Sequence, residues 1–334
     1  MEVNRKSLQD LKILIVGCGS IGKRHAGVLS SLGVTGMLAY DPVESQLQAL
    51  VNETPGVQPC GSLEEGLRQN PDAVFVLNPT KLHVPTAIQA INANCHVFME
   101  KPLSDSLDRV DELSGLAAEK NKKVMVGFCF RYHDGLLRAK NIIKSGKIGR
   151  IVSVRALMGE HFPEVRPDYK NTYYVKYSGA FELIHDLDLA IWFADQNVKK
   201  AYGVYGAFSD IGFEAPDTVE LLLEFENRCA ATVHLDFFQK PRRRTIELIG
   251  TNGVITVEFA SWDEYTISIY DTVKRVWEKF TEKTARNDMF RDEDREFLQA
   301  VAEDKPIICS IEEARKSLEV ILNVQKGITQ ENIK

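Results

Sequence analysis

Leu11-Lys12-Ile13-Leu14-Ile15-Val16-Gly17-Cys18-Gly19-Ser20-Ile21-Gly22 is the stretch on which the reading of this chain turns. Its first six residues are apolar apart from one lysine, and three of them are β-branched, the composition of a strand covered on both faces. The next six place glycine first, third and sixth. In that spacing the first glycine permits a tight turn, the second lets the backbone approach a pyrophosphate, and the third lets the following helix pack closely, its N-terminus facing the negative charge. Asp41 ends the next apolar run 19 positions beyond Gly22, where a carboxylate can accept both hydroxyls of a ribose. The expected dinucleotide contacts are therefore Gly17, Cys18, Gly19, Ser20, Ile21, Gly22 and Asp41. Asp41 repels a 2′-phosphate and no arginine follows it directly, so NAD is expected in preference to NADP, although Lys23 and Arg24 lie nearby. A glycine-rich turn holding another nucleotide or none is the competing reading.

Outward from this stretch the pattern alternates. Helices are expected over 23–32, 42–52, 64–69, 85–93 and 107–120, and strands over 11–16, 37–41, 73–77, 96–101 and 123–128. Such alternation predicts a doubly wound parallel sheet of Rossmann type. Beyond residue 148 the period changes to two: strands are expected over 151–157, 198–208, 218–225, 230–238, 245–249, 254–259 and 265–270, with helices over 181–193, 291–303 and 311–325. This predicts a large, open, mostly antiparallel sheet flanked by helices. The expected organisation is an α/β cofactor domain over 1–126 and an α+β substrate and oligomerisation domain over 127–334, with the terminal helices free to pack on either.

The 334 residues exceed the size at which one core usually stops growing, and 44% of them are hydrophobic. A net charge of −6 gives no general attraction to phosphate backbones or anionic membranes, so nucleic acid is not an expected partner. The six cysteines form no CxxC pair, which fits reduced thiols in a cytoplasm better than disulfides or a structural metal. Residues 1–6 lack the apolar core of a signal peptide, and no run approaches the roughly 20 apolar residues of a membrane span.

Three clusters carry candidate chemistry. Asn78-Pro79-Thr80 ends a strand at the carboxyl edge where ligands bind in parallel sheets, and His83 either joins that site or caps the helix that follows. Lys101 closes the run His96-Val97-Phe98-Met99-Glu100, where it can take a hydroxyl proton beside a positive nicotinamide ring and steady the alkoxide; a surface lysine paired with Glu100 is the alternative. Pro102 restricts the backbone there, in either peptide isomer. Glu182, His185 and Asp188 recur every third position on one expected helix face, with Leu183, Leu187 and Ile191 on the core side. His185 can bond a substrate hydroxyl, or be a core histidine satisfied by Asp188. Without a second histidine the trio is not expected to bind metal.

Together these motifs, with Gly127-Phe128-Cys129-Phe130-Arg131-Tyr132, Lys147-Ile148-Gly149-Arg150-Ile151 and Trp192, resemble the glucose-fructose oxidoreductase and inositol dehydrogenase family, Gfo/Idh/MocA, over nearly the whole chain. The resemblance implies an NAD(P)-dependent oxidoreductase acting on a sugar, sugar derivative or cyclitol. It implies Lys101 and His185 as the catalytic pair, Glu100 and Lys101 at the cofactor, and Arg131 at the substrate. It also implies a homodimer or homotetramer joined through the open sheet face. Many members carry aspartate four residues before the histidine; here that position is Phe181, and Glu182 is the substitute candidate. A subgroup of nonulosonate and surface-polysaccharide dehydrogenases is similar in placing its acid at the Glu182 offset, and also at Arg166-Pro167-Asp168-Tyr169 and around Arg242-Arg243-Arg244. In that light Arg166 and Tyr173 are candidates for gripping a substrate anion, while the triple arginine reads as a solvated strand edge. An NAD-dependent glycosidase acting by transient oxidation, and a non-catalytic NAD sensor, are the competing functions.

Overall fold

A computed structural model describes residues 6–171 and 178–327. The chain divides into two compact units: the described residues through Cys129 with Asn287–Leu318, and Phe130–Arg286 with the chain from Glu319.

The first unit holds the parallel sheet. Strands β1 (Lys12–Val16), β2 (Gly36–Tyr40), β3 (Gln58–Pro59), β4 (Ala73–Val76), β5 (His96–Glu100) and β6 (Val124–Gly127) pair in the order β3-β2-β1-β4-β5-β6, every pair parallel. Helices α1 (Ser20–Ser31), α2 (Glu44–Glu53), α3 (Leu63–Arg68), α4 (His83–Asn92) and α5 (Val110–Glu119) connect them. The central strands are buried along almost their whole length, which is why they read as continuous apolar runs. Strand order reverses at β1, whose neighbours are β2 and β4, so the carboxyl ends of β1 and β4 border the crevice where this topology takes ligands. Most boundaries shift by one to three residues from expectation, and two of the shifts have a visible local setting. Helix α4 begins at His83, ahead of Pro85, and α5 begins after Arg109, which takes φ 57° and turns the chain into the helix.

The second unit holds helices α6 (Asp134–Lys144), α7 (Phe162–Val165) and α8 (His185–Ala194), and a sheet of β7 (Ile151–Gly159), β8 (Val198–Gly206), β9 (Thr218–Phe225), β10 (Ala230–Asp236), β11 (Arg243–Gly250), β12 (Gly253–Glu258), β13 (Glu264–Asp271) and β14 (Val276–Lys283). The order is β14-β13-β12-β11-β7-β10-β9-β8, antiparallel except where β10 runs parallel to β7. Alternation is clear in β9, where Val219, Leu221, Leu223 and Phe225 are buried and Glu220 and Leu222 are exposed. α8 packs on the inner face over β7 and β10. The expected helix over 181–193 is two elements, a 3-10 turn Gly179–Leu183 and then α8, so the every-third spacing does not lie along one α-helix.

Helices α9 (Arg286–Glu303) and α10 (Ile311–Gly327) close the described chain. Phe297 of α9 meets the stacked pair Phe75 and Phe98 edge-on at 5.5 and 5.7 Å, burying its side chain on the parallel sheet. Among the described residues no helix is long and apolar enough to cross a membrane.

Candidate active site

The glycine turn after β1 has the geometry its spacing requires. Gly17 takes φ +102°, and a Cβ there would lie 2.5 Å from the Leu77 carbonyl. A Cβ on Gly22 would lie 2.0 Å from the Gly17 oxygen, so α1 closes onto the turn only without a side chain. Gly19, the N-cap of α1, faces open space with nothing within 4 Å of a would-be Cβ. That space lies before the first-turn N–H groups of α1, which have no partners within their own helix. A pyrophosphate fits there. Asp41 follows β2 and binds the turn: Cys18 N–H donates to its Oδ2 (2.7 Å) and Val43 N–H to its Oδ1 (2.8 Å), leaving each oxygen a lone pair for a ribose hydroxyl. Burial, reinforced by Asp41, pushes the Cys18 thiol up to about 12, so it stays protonated and takes no nucleophilic part.

The ends of β4 and β5 are tied together beside this turn. Asn78 donates from Nδ2 to Thr86 Oγ1 (2.9 Å), while its buried Oδ1 has no hydrogen-bond partner among the described residues. An orphaned amide oxygen at the crevice edge suits a ligand donor. Pro79 is exposed and Thr80 opens a 3-10 turn, Thr80–Leu82. His83 does not cap α4 from outside. It is the first residue of that helix, buried, with Nε2 2.8 Å from Asn78 O and Nδ1 2.8 Å from Pro102 O. One imidazole thus spans the strand end at Asn78 and the Pro102 carbonyl, just past the cis Lys101–Pro102 peptide. Lys101 itself is half-buried, its N–H donating to Glu100 Oε2 at 2.9 Å.

Beneath Lys101 lies a group of ionisable side chains that the motifs did not announce. Glu100 Oε1 is 3.3 Å from His25 Nε2, and His25 Nδ1 is 2.9 and 3.0 Å from the oxygens of Asp294. Burial works against the imidazolium, but Asp294 and Glu100 outweigh it and push His25 up to about 10. Glu293, adjacent on α9, is 0% exposed and neither carboxylate oxygen has a hydrogen-bond partner among the described residues. A signal existed: Met289, Phe290, Glu293, Asp294, Phe297 and Leu298 form the buried stripe of α9, with two acids in an otherwise apolar row.

In the second unit His185 is the first residue of α8, with the Phe130 ring edge-on at 4.9 Å. Two bidentate ion pairs hold the helix turn around it. Arg131 donates from Nε and Nη2 to Asp188 (2.9 and 2.7 Å), and Arg244 from Nε and Nη2 to Asp186 (3.1 and 2.7 Å). All four side chains are buried, and both acids lie in the first turn of α8, where the helix dipole favours negative charge. Asp188 therefore holds Arg131. Arg244 also stacks on Phe130 at 3.7 Å.

The solvated-edge reading of the arginines is overturned. β11 is an interior strand paired with β7 and β12, so its inward residue Arg244 is buried; Arg242 is half-buried 3.2 Å from Glu160, and Arg243 is exposed. Glu182, in the 3-10 turn before α8, accepts a hydrogen bond from Ser178 Oγ (2.7 Å). Arg166 is exposed after α7, its guanidinium 5.9 Å from the Phe162 ring centre. Tyr173 lies outside the described residues. The first unit thus gathers Gly17–Gly22, Asp41, Asn78–Thr80, His83, Glu100 and Lys101, and the second gathers Arg131 and His185 about α8.

Comparison with known proteins agrees with both units. Residues 11–128 match the family model described as an oxidoreductase family with an NAD-binding Rossmann fold, and residues 136–256 match the GFO/IDH/MocA C-terminal domain. An uncharacterized oxidoreductase of Bacillus subtilis, YrbE, is 25% identical over 309 residues, 89% of this chain and 88% of that one. Inositol 2-dehydrogenase of Salmonella typhimurium is 32% identical over 199 residues, 57% of this chain and 56% of that one. Among solved structures, myo-inositol 2-dehydrogenase from Lactobacillus plantarum superposes with a TM-score of 0.80 at 25% identity, covering 96% of this chain and 97% of that one. With the glycine turn, the Glu100-Lys101-Pro102 strand end and both domains accounted for, the chain belongs to the Gfo/Idh/MocA family of oxidoreductases.

Proposed function

We propose that the protein oxidises a secondary hydroxyl of a sugar, sugar derivative or cyclitol, reversibly, with Lys101 and His185 as its acid-base pair and NAD as cofactor. NAD, when bound, supplies the hydride acceptor. The observation that carries this reading is the braced strand end: His83 holds the Pro102 carbonyl against Asn78 beside the glycine turn, so the backbone just past Lys101, and not a mobile loop, places the ammonium. Lys101 takes the hydroxyl proton and, once protonated, steadies the alkoxide oxygen that gave it up. His185 bonds the same hydroxyl, its ring held by Phe130 and by the two ion pairs of α8. Glu182 bonds a neighbouring hydroxyl. Arg131 acts on the substrate through Asp188 and the helix, and Arg166 with Tyr173 grips an anionic substituent of the kind sugar acids and nucleotide sugars carry. The similarity to inositol 2-dehydrogenases supports the cyclitol arm.

The residues through 126, with Asn287–Leu318 in the same unit, serve the cofactor, and the remainder of 127–334 serves substrate and assembly. Asp41 favours NAD over NADP by repelling a 2′-phosphate. A homodimer or homotetramer forms through the open sheet face, where Tyr202 (58% exposed), its register partner Leu222 (50%) and Val204 (58%) present apolar surface. The buried thiols, with no disulfide among the described residues, suit a cytoplasmic enzyme.

The test is incubation with NAD or NADP and a panel of inositols, neutral sugars, uronates, nucleotide sugars and aryl glycosides, following absorbance at 340 nm and aglycone release together. Net NADH formation is expected; aglycone release without it would replace this reading with redox-assisted glycoside cleavage. Lys101→Ala should lower kcat by orders of magnitude and leave NAD affinity nearly unchanged.

A further inference from the structure

Arg131 and Arg244 each place Nε and Nη2 on one carboxylate, and Arg242 does not. β7 and β11 run antiparallel with Arg243 opposite Gly159 and Arg244 opposite Met158, so one further step along the ladder sets Arg242 opposite Glu160. Arg242 and Arg244, two positions apart, point to the same face. Arg242 Nε lies 3.2 Å from Glu160 Oε2 without the alignment of a hydrogen bond, and this buried nitrogen has no acceptor among the described residues. The guanidinium is nevertheless fixed: Nη1 donates to Ala260 O at 2.8 Å, and the Trp262 ring centre lies 4.6 Å away. Glu160 is buried as well. The pair adjoins the helix start that bears His185, because Trp262 lies 6.2 Å from the Phe130 ring, and that ring meets His185 at 4.9 Å and carries Arg244 on its face at 3.7 Å.

A donor and an acceptor held side by side yet misaligned suit two neighbouring hydroxyls. One hydroxyl oxygen accepts from Arg242 Nε while its neighbour donates to the Glu160 carboxylate, since a hydroxyl can do either. An anion on the arginine would lie against Glu160, so the arrangement suits a neutral group better than a charged one. We propose that Arg242 and Glu160 form a substrate subsite that reads two adjacent hydroxyls of a polyhydroxylated ring, away from the hydroxyl that reacts at His185. This rests on the reading that the substrate is a sugar or cyclitol bound at His185. Trp262 is a positioning residue that holds the guanidinium at the strand end. Loss of either hydroxyl leaves a buried polar group without its ligand partner, which is how such a site rejects a deoxy analogue.

The experiment is titration of the NAD+-saturated full chain with myo-inositol, D-glucose and the monodeoxy analogues of each, read by calorimetry, beside Arg242→Met and Glu160→Gln. In the unaltered chain at least one of the two polyols is expected to bind, and two of its analogues, lacking adjacent hydroxyls, to bind about tenfold or more weakly. In both variants the discrimination against those two analogues should shrink to about twofold, while discrimination against the analogue lacking the reacting hydroxyl persists. Comparing affinities within one protein cancels a general loss of stability, and a merely structural pair would weaken polyol and analogue alike. Should Arg242→Met not fold, Glu160→Gln must show the loss by itself. Discrimination unchanged in the variants overturns the proposal. Binding of neither polyol also overturns it, and if uronates or nucleotide sugars alone then yield NADH, the dehydrogenase reading stands without this subsite. Binding is read without turnover, so absence of NADH from every sugar and cyclitol tried would refute the dehydrogenase reading separately.

Discussion

The two units bury charge in opposite ways. Around α8 each guanidinium meets one carboxylate through two hydrogen bonds, Arg131 with Asp188 and Arg244 with Asp186, so the charges cancel in place. Under β5 one imidazole is shared by two carboxylates and a third acid has no hydrogen-bond partner among the described residues. Matched pairs fix geometry: a bidentate fork restricts the helix turn that bears His185 and leaves little field behind. An unmatched group leaves a field, at a cost in stability that the surrounding fold must offset.

The largest expected effect comes from unbalancing a matched pair. Arg131→Leu strands Asp188 as a buried charge and should destabilise the fold by about 3–5 kcal/mol in urea unfolding, while Arg131→Leu with Asp188→Leu should recover most of that loss. A single variant as stable as the parent would mean the pair is not compensating. In the unmatched cluster the sign differs. Glu293 holds its proton in the fold and releases it in the unfolded chain near the ordinary value of 4.5, so its contribution is full below that value and is lost as pH rises toward the raised folded value. Glu293→Gln removes the loss, and its stability advantage should grow by up to about 1.4 kcal/mol per unit between about pH 5 and pH 7. A pH-independent difference would mean that Glu293 is ionised.

The smallest perturbation is to watch two histidines titrate. His133, N-cap of α6, is lowered to about 4, first by burial and then by Arg244, whereas His25 is raised to about 10. Imidazole nitrogen shifts by NMR should show His25 doubly protonated at pH 8 and His133 neutral down to about pH 5. His133 contributes stability above 6.5 that is lost as pH falls through about 4; His25 contributes below 6.5 and loses it as pH rises through about 10. Equal titration of the two near 6.5 would erase the contrast between the units.

Much of the fold was legible because its signals are local. The run Lys12–Val16 announces a covered strand by composition, and β9 announces a half-covered one by alternation. β14 was not legible: Val276–Lys283 is exposed along nearly all its length and is a strand because it pairs with β13, not because it buries a face. α6 is a different omission. Its His133 cap and its buried Leu136 and Ala139 carry a helical period, yet it was not among the expected elements. At the site, Lys101 and His185 stood out by motif, while His25, Glu293 and Asp294 looked like ordinary members of helix stripes.

What the amino-acid order determined by itself is whatever a few neighbouring residues can enforce: the positive φ at Gly17, the close approach at Gly22, the alternation of strand and helix, the change of period after residue 148. Such features depend on sterics and solvent contact within one or two turns of chain. The charge partners were decided by tertiary structure alone. Arg131 and Asp188 are 57 positions apart, Arg244 and Asp186 58, and His25 and Asp294 269. No local spacing rule links them, because an ion pair is chosen by which side chains the packed core leaves face to face once water has been excluded.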